Sequence, residues 1–227
     1  MIELEMSRTV RAELIRPARL DYETAWTLQR RLVDERADGR RPDMLLLLEH
    51  APIYTVGRSG RADHWGDEVA LRATGIPVRQ VERGGSITYH GPGQLVAYPI
   101  LKLTDFCAGP RAYVRKLEDV IIDTLACWGI AGHRLDKFPG VWIGDDAPAK
   151  IAAVGVRIER GITMHGIALN VSMDLAPFER IVPCGIAGCR VTSMEEVAGR
   201  NVDLADVRAQ FATEFARVFE LRWTEDA

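Results

Sequence analysis

The sequence predicts an α+β fold, with a mixed, largely antiparallel sheet packed by helices. Apolar segments of strand length follow one another in hairpin-like runs, and the helical segments are few and far apart. The two kinds of segment do not alternate regularly, as they would in a doubly wound parallel sheet. Neither a repeat nor a linker divides the 227 residues, so we expect a single domain over residues 1–227.

Three segments show the period of about 3.6 residues that is typical of helices with one buried face. The first follows Asp21 and extends to about Ala37, the second begins at Pro110 and ends before Gly129, and the third follows Asp203. Aspartate is a suitable N-cap, and proline is tolerated in a first helical turn. The expected buried stripes are Trp26, Leu28, Leu32 and Val33; Val114, Leu117, Val120, Ile121, Leu125 and Trp128; and Val207, Phe211, Phe215, Val218 and Phe219.

Strands are expected where short apolar runs are bounded by turn-forming residues. Met44–Glu49 is such a run, and its length and the Pro52 that follows favour a buried strand over a helix. A Gly-Pro-Gly turn at residues 91–93 should join two further strands in a hairpin-like corner. The other expected strands are Ile53–Gly57, Ile87–Tyr89, Gln94–Leu101, Val141–Ile143, Lys150–Ile158 and Ile162–Val171.

Composition argues against several classes of protein. Hydrophobic residues make up 47% and charged residues 27% of the chain, as is usual for a globular domain. The formal net charge of −3 gives no global basic surface for nucleic acid. No apolar run approaches the ~18 residues of a membrane helix, the amino-terminal residues lack the pattern of a secretory signal, and four cysteines do not suggest a disulfide framework. We expect a cytoplasmic protein that binds neither nucleic acid nor membrane.

The most unusual segment is Arg83–Gln94, RGGSITYHGPGQ, which contains four glycines. Glycine is useful where the backbone turns sharply or approaches a ligand closely, and elsewhere it costs conformational entropy. Two tight turns around a strand would account for the pattern, and so would a loop that surrounds a substrate. Two unusual segments downstream, Lys150–Val171 and Pro183–Met194, favour the substrate loop.

Together these segments resemble the lipoyl(octanoyl) transferases. The resemblance extends through LLLLEHAPIYTVGR (Leu45–Arg58), the RGGSITYHGPGQ loop, the strand that begins at Lys150 and the PCGI turn that begins at Pro183, in this order over roughly residues 20–200. It implies the biotin/lipoate protein ligase catalytic fold. It also implies an enzyme without a cofactor that transfers an octanoyl group from octanoyl-acyl carrier protein to a lysine of lipoyl domains. The implied acceptors are the E2 subunits of 2-oxoacid dehydrogenases and the glycine cleavage H protein.

The resemblance also implies a catalytic pair and a substrate pocket. Cys184 would form an acyl-thioester, and Lys150 would lower the pKa of its thiol. The implied substrate-binding residues are Arg83, Gly84, Gly85, Ser86, Ile87, Thr88, Tyr89 and His90; Ala153, Val154 and Gly155; and Gly166, Ile167 and Ala168, with His165 as a supporting candidate. Small residues among them would leave room for a straight C8 chain, whose burial is worth ~0.8 kcal/mol per methylene.

The residues themselves leave alternatives open. A cysteine in a tight turn is either an inert buried side chain or a nucleophile, and a thiol with an ordinary pKa of about 8.5 needs a cation or a helix terminus nearby to become a thiolate at neutral pH. Lys150 is either a solvated edge lysine or a cation that promotes the thiolate and later accepts a proton from an attacking amine. His90 and His165 are either structural or pocket residues, and Arg83 either holds its loop or meets the substrate.

Other activities compete with octanoyl transfer. An ATP-dependent lipoate or biotin ligase of the same fold would need no cysteine, an octanoyl amidotransferase between lipoyl-bearing proteins would use one, and a binding module would show no turnover. The glycine-rich loop matches neither a P-loop nor a GxGxxG turn that opens a helix. Cys184, Cys189 and His165 are poorly spaced for zinc. We therefore expect neither a metal nor a cofactor.

Overall fold

The structure of the chain, a computed structural model, describes residues 10–61, 64–65, 68–183 and 188–224. The strands are β1 (Val10–Ile15), β2 (Arg19–Leu20), β3 (Asp43–His50), β4 (Ile53–Val56), β5 (Val78–Gln80), β6 (Ile87–His90), β7 (Gln94–Ile100), β8 (His133–Leu135), β9 (Phe138–Ile143), β10 (Ala149–Glu159), β11 (Ile162–Asn170), β12 (Arg190–Val191) and β13 (Leu221–Trp223). The helices are α1 (Tyr22–Ala37), α2 (Glu68–Ala73), α3 (Pro110–Ala126), α4 (Met194–Ala198) and α5 (Leu204–Val218), with short 3-10 turns at Leu103–Asp105 and Ala176–Arg180.

Within the described residues the strands form two sheets. The larger sheet has the order β13-β1-β3-β7-β11-β10-β9-β8, with β2 beside β3 and β12 beside β10. Neighbours from β3 through β7, β11, β10 and β9 to β8 are antiparallel, whereas β1 is parallel to both β3 and β13. The smaller sheet has the order β5-β4-β6. The predicted α+β fold with a mixed sheet is confirmed.

Helices cover both faces of the larger sheet. Leu45 and Leu47 of β3 belong to the cluster that packs under α3 and α5, whereas Leu46 and Leu48 belong to the cluster under α1. Because successive strand residues point to opposite faces, α1 lies on the face opposite α3 and α5. No helix in the described part of the chain is long and apolar enough to span a membrane.

The predicted helix starts are confirmed. The carboxylates of Asp21 and Asp203 accept the backbone N–H groups of Thr24 (2.9 Å) and Ala205 (2.6 Å), and α3 begins at Pro110. The stripe predicted for α1 was partly wrong, because Trp26 and Leu28 are only partly buried. The buried residues of α1 are Tyr22, Ala25, Gln29, Leu32 and Val33. Two of these are polar: Tyr22 lines a cavity, and Oε1 of Gln29 accepts the N–H of His165.

The Gly-Pro-Gly turn joins the two sheets. β6 belongs to the smaller sheet and β7 to the larger one, so the chain turns a corner there, but the two strands do not pair with each other. Gly93 has a φ of +82° and its N–H donates to the Glu49 carboxylate (2.9 Å). This corner places the glycine-rich segment of residues 83–87 over the sheet that carries β10 and β11.

Candidate active site

A narrow cavity lies between the loop of residues 83–88 and the strands β10 and β11. It leaves about 50 Å³ for the centres of water-sized molecules, several times the ~10–15 Å³ that one water requires. Its lining is mostly apolar, so it suits a slender apolar group. The lining residues are Tyr22, Arg83, Gly84, Gly85, Ser86, Ile87, Thr88, His90, Tyr98, Ala153, Val154, Gly155, His165, Gly166, Ile167 and Ala168.

Glycine lets the loop approach β10 at backbone distance. The N–H of Gly84 donates to the carbonyl of Val156 (2.9 Å), and a Cβ on Gly155 would lie only 2.9 Å from the carbonyl oxygen of Gly84. Gly85 has a φ of +83°, a left-handed conformation that glycine adopts without strain. The loop and the strand therefore form one continuous wall.

Arg83 holds this loop from inside. Its side chain is buried, and its Nη2 donates to the carbonyl (2.6 Å) and hydroxyl (2.8 Å) oxygens of Thr55, while Nη1 donates to the carbonyl of Gly84 (3.0 Å). The sequence left two roles open for Arg83, holding its loop or contacting the substrate. These contacts support the first. Arg83 also lines the cavity, so it remains part of the pocket.

His90 is fixed as a neutral ring between two partners. Its Nε2 lies 3.2 Å from the hydroxyl of Thr55, and its Nδ1 lies 2.8 Å from Oε1 of Gln94. The amide nitrogen of Gln94 donates to Oδ1 of Asn170 (2.9 Å) and to the carbonyl of Tyr89 (3.2 Å), so Oε1 must accept and Nδ1 must donate. Desolvation by burial lowers the pKa of His90 well below its usual range.

These hydrogen bonds belong to a longer series in which each residue accepts from the residue before it and donates to the residue after it. Upstream, the guanidinium of Arg83 donates to the hydroxyl of Thr55, which in turn donates to the imidazole. Downstream, Nδ2 of Asn170 donates to the carbonyl of Thr192 (3.0 Å), whose own N–H donates to the carbonyl of Lys150 (3.0 Å). The buried network thus connects the glycine-rich loop to the strand that carries Lys150.

A second histidine lies behind the first. Nδ1 of His50 donates to the carbonyl of Leu20 (2.9 Å), so its Nε2 accepts from the hydroxyl of Tyr98 (2.7 Å). Burial lowers the pKa of His50 to about 4. His50 belongs to a cluster of rings formed by Tyr22, His50, His90, Tyr98 and His165, in which neighbouring ring centroids lie 5.1–6.2 Å apart.

In the described part of the chain, no group of three or more His, Cys, Asp or Glu residues is arranged to hold a metal ion.

Lys150 is a buried cation, so the edge-lysine interpretation was wrong. The residue is only 4% exposed, because β10 is flanked by β9, β11 and β12. Its Nζ donates to the carbonyl of Pro139 (3.0 Å) and lies 4.6 Å from the centroid of the Trp142 ring. A cation over an aromatic face is stabilised by about 0.5–2 kcal/mol. The lysine is therefore held in place on the same strand that lines the cavity at residues 153–155.

The predicted nucleophile, Cys184, lies outside the described residues. The chain on either side of it passes close to the site. Pro183 is buried, the N–H of Val182 donates to the carbonyl of His64 (2.9 Å), and Val191 of β12 pairs with Lys150. The position of Cys184 relative to Lys150 stays a prediction.

Comparison with known proteins identifies the family. The model of the lipoyl protein ligase A/B catalytic domain matches residues 21–216. This chain belongs to that family. The octanoyltransferase of Chloroflexus aggregans is 45% identical over 205 residues, which cover 89% of this chain and 92% of the relative. The octanoyltransferase of Solibacter usitatus is 48% identical over 204 residues, covering 89% and 90% respectively.

Among solved structures, the fold is similar to that of a bi-partite lipoate protein ligase of the archaeal lipoylation system from Thermoplasma acidophilum. The TM-score is 0.70 at 16% identity, and the match covers 96% of this chain and 86% of that one. At this identity the similarity concerns the fold alone. It confirms the lipoate ligase-like architecture that the sequence resemblance implied.

The cavity brings together the predicted pocket residues of two of the family segments, Arg83–Gln94 and Lys150–Val171, with one exception. Tyr89 lies on the other face of β6, where its ring contacts Tyr54 (5.3 Å between centroids) and Phe178 (5.7 Å). Successive strand residues point in opposite directions, so the side chain of Tyr89 points away from those of Thr88 and His90, and Tyr89 is not part of the cavity lining. All other predicted pocket residues, including His165, line it.

Sequence reasoning missed Tyr22 and Tyr98, which also line the cavity. A signal was present in each case, since Tyr22 directly follows the helix cap and Tyr98 is the polar-tipped residue of an apolar strand. A buried tyrosine hydroxyl usually requires a partner. That partner, His50, is 48 positions away from Tyr98 in sequence, and no local pattern connects the two.

Proposed function

We propose that this chain is an octanoyltransferase that moves an octanoyl group from octanoyl-acyl carrier protein to a specific lysine of lipoyl domains. The acceptors are the lipoyl domains of 2-oxoacid dehydrogenase E2 subunits and the glycine cleavage H protein. The chain acts in the cytoplasm as one acyltransferase catalytic domain over residues 1–227.

The observation that carries this proposal is the narrow apolar cavity beside a strand that also bears a buried lysine. A straight alkyl chain fits such a cavity, and each buried methylene contributes ~0.8 kcal/mol. Ala153 and Gly155 of β10 line it, and Lys150 lies on the same strand. Two relatives, 45% and 48% identical over nearly the whole chain, are octanoyltransferases. They support octanoyl as the acyl group that is transferred.

In the first half of the reaction, the Cys184 thiolate attacks the carbonyl carbon of the donor thioester. A new carbon–sulfur bond forms on Cys184, the bond to the carrier's sulfur breaks, and the carrier thiolate leaves with the proton that the Lys150 ammonium gives up, so that Lys150 is left neutral. The ammonium of Lys150 favours the thiolate form of Cys184 by direct electrostatics. One thioester replaces another, so the step requires no ATP.

In the second half, the lysine amine of the lipoyl domain attacks the octanoyl-Cys184 thioester. An amide carbon–nitrogen bond forms, the carbon–sulfur bond breaks, and the amine loses a proton. Once deprotonated, Lys150 accepts that proton. The conversion of a thioester to an amide is downhill, which drives the transfer to completion.

Intact mass spectrometry tests the covalent step. The purified chain is mixed with octanoyl-acyl carrier protein, without ATP and without acceptor. We expect the gain of one octanoyl group on the wild type and on Cys189→Ser, and no gain on Cys184→Ala. Lys150→Ala should acylate at least tenfold more slowly, whereas Lys102→Ala, which removes a half-exposed lysine paired with Asp105, should match the wild type.

The rival activities predict other results. No adduct on folded wild type, together with modification of the lipoyl domain by octanoate and ATP, would identify an ATP-dependent ligase. An adduct formed only from an octanoylated lipoyl-bearing protein would identify an amidotransferase. An adduct that persists in Cys184→Ala would refute the assignment of the nucleophile.

A further inference from the structure

A broad surface groove lies between the first turns of α3 and the β8–β9 hairpin. It leaves about 630 Å³ for the centres of water-sized molecules, compared with about 50 Å³ in the acyl cavity. Its walls extend from Pro110 at the start of α3 to Pro139 in β9. The acyl chemistry proposed above makes no use of this space.

The groove is positively charged, although the formal net charge of the chain is −3. Four basic and two acidic side chains line it. Arg134 pairs with the buried Glu118 (3.0 Å) and with Asp119 outside the lining, and Oε1 of Glu118 accepts the N–H of Gly140 (2.9 Å). This pair connects α3 to β9 and has a structural role. It leaves three basic side chains and one acidic side chain, Asp136, free to face a partner.

The three remaining basic residues are Arg111, Arg115 and Lys137. All are exposed, and none forms an ion pair within the part of the chain that the structure describes. Arg111 stands in the first turn of α3, which holds no acidic residue, whereas α1 and α5 place Glu23 and Asp206 there. A positive side chain at this end of a helix is opposed by the helix dipole. The stability of α3 therefore does not explain the basic cluster.

One end of the groove meets the candidate catalytic site. Pro139 lines the groove, and its carbonyl accepts from Nζ of Lys150 (3.0 Å). The neighbouring Phe138 is 39% exposed, and its ring lies 6.3 Å from the ring of Trp142, over which the Lys150 ammonium lies at 4.6 Å. Aromatic and arginine side chains are enriched at protein interfaces. A partner that occupies the groove therefore has its edge beside Lys150.

The spacing of the charges favours the acyl donor as that partner. Arg115 and Arg111 precede Glu118 by about one and two turns of α3, or roughly 5 and 10 Å, so they lie away from the Lys150 end. The acceptor brings its amine on one lysine side chain, which reaches about 6 Å. The donor holds its thioester on a phosphopantetheine arm that spans about 16 Å from phosphorus to sulfur when extended. This arm lets a carrier rest in the groove, with its anionic phosphodiester near the arginines, while its thioester lies beside Lys150.

We propose that this basic groove is the docking surface for the donor, an acidic carrier protein whose acyl group is attached through a phosphodiester. Arg111, Arg115 and Lys137 face the acidic surface and the phosphodiester, and Phe138 packs beside the arm. The inference rests on the proposed function and adds the place where the donor docks. Charges at the rim of an interface act mainly on the rate of association and on its salt dependence.

Acylation by two donors tests the docking surface. Octanoyl-carrier protein offers the whole partner, whereas octanoyl-pantetheine lacks both the protein and the phosphate. The full chain carries Arg111→Ser, Arg115→Ser and Lys137→Ser together, and intact mass measures the second-order rate constant of acylation. We expect the ratio of the two rate constants, carrier protein over pantetheine, to fall at least tenfold at about 0.05 M salt. At about 0.5 M salt, where exposed charges are screened, the fall should be less than threefold.

A matched variant removes the same amount of charge at the opposite edge of the larger sheet. Its three serine substitutions replace exposed arginines in or next to β1 and β13, namely Arg11, Arg16 and Arg222. This variant should leave the ratio unchanged. If the triple groove variant does not fold, as judged by circular dichroism, Arg115→Glu alone should lower the ratio at least fivefold. Binding of octanoyl-carrier protein to the Cys184→Ala chain, measured by calorimetry, should weaken at least tenfold with the groove substitutions and remain unchanged with the matched ones.

The other outcomes overturn the inference in recognisable ways. An unchanged ratio in both groove variants, with normal acylation of the wild type, refutes the docking surface and leaves the proposed function standing. An equal fall with both donors places the damage in the active site. The acyl-enzyme formed from octanoyl-pantetheine also serves to measure transfer to the lipoyl domain. If that transfer slows while the ratio holds, the groove belongs to the acceptor. If neither donor acylates the wild type, the proposed function itself fails.

Discussion

Replacing Gln94 by leucine should destabilise the protein strongly. The side chain is 1% exposed and makes three protein hydrogen bonds, accepting from His90 (2.8 Å) and donating to Asn170 (2.9 Å) and to the carbonyl of Tyr89 (3.2 Å). Leucine removes all three, and each buried group that loses its partner costs about 1–3 kcal/mol. After partial relaxation we expect a loss of about 3–6 kcal/mol, a large share of the 5–15 kcal/mol that is typical of a domain.

Gln29 provides a matched control with the same chemical change. It is fully buried, yet only its Oε1 has a partner, the N–H of His165 (2.7 Å), while its Nε2 has none among the described residues. Gln29→Leu leaves one N–H without its acceptor and at the same time removes an unsatisfied amide nitrogen. The net loss should be about 0–2 kcal/mol.

Urea unfolding at neutral pH, followed by far-UV circular dichroism, measures both variants against the wild type. The difference between the two losses should exceed about 2 kcal/mol. Equal losses, or a larger loss for Gln29→Leu, would show that the directed hydrogen-bond network is not a main source of stability. A double substitution of Gln94 and Asn170 should cost clearly less than the sum of the single ones, because the two share a bond.

Three further predictions concern pH, the loop and a buried ion pair. Burial lowers the pKa of His50 from 6.5 to about 4, so between these pH values the unfolded state binds more protons than the folded state. The contribution of His50 to the free energy of unfolding therefore falls by up to about 3 kcal/mol as the pH is lowered from 6.5 to 4. Urea midpoints of the wild type and His50→Gln should therefore converge over this range, and a constant separation would contradict the assignment. Gly155→Ala places a Cβ 2.9 Å from the carbonyl of Gly84 and should slow acylation at least tenfold, whereas Gly109→Ala, whose Cβ meets nothing within 4 Å, should acylate normally in the mass assay. Asp43→Asn weakens the buried carboxylate that accepts from Arg36 (2.9 Å) and from the N–H of Lys102 (2.8 Å) and should cost about 2–4 kcal/mol in thermal or urea unfolding. Asp38→Asn, which weakens exposed pairs with Arg40 and Arg160, should change stability much less than Asp43→Asn does.

Local patterns were sufficient for the elements that carry their own signal. Helices α1 and α5 have aspartate caps, α3 has a proline in its first turn, and all three have an apolar period. The strands β3, β10 and β11 are long apolar runs bounded by turns. Strands β2, β12 and β13 have only two or three residues each, too few for any period to be visible. They form because β3, β10 and β1 present free edges or ends beside them, which is a property of the assembled sheet.

The residues of the candidate site also divide into those that the sequence predicted and those that only the assembled structure reveals. The glycines of residues 84–85 and the small residues of β10 and β11 were predicted through the family resemblance, whose motifs include them. Tyr22 and Tyr98 were not, because they reach the cavity only after α1 packs on β7 and β11. The orientation of Tyr89 follows from strand alternation, which an argument from motif membership does not consider.

The three buried histidines around the cavity simplify the kinetics of any reaction there. Burial lowers the pKa of His50 to about 4, of His165 to about 3, and of His90 well below 6.5. None of them changes its charge between about pH 6 and 8, the range in which a histidine side chain ordinarily titrates. An inflection of the rate in that interval belongs to other groups, so a pH–rate profile measured on this chain reports on the nucleophile and its base without interference from the buried imidazoles.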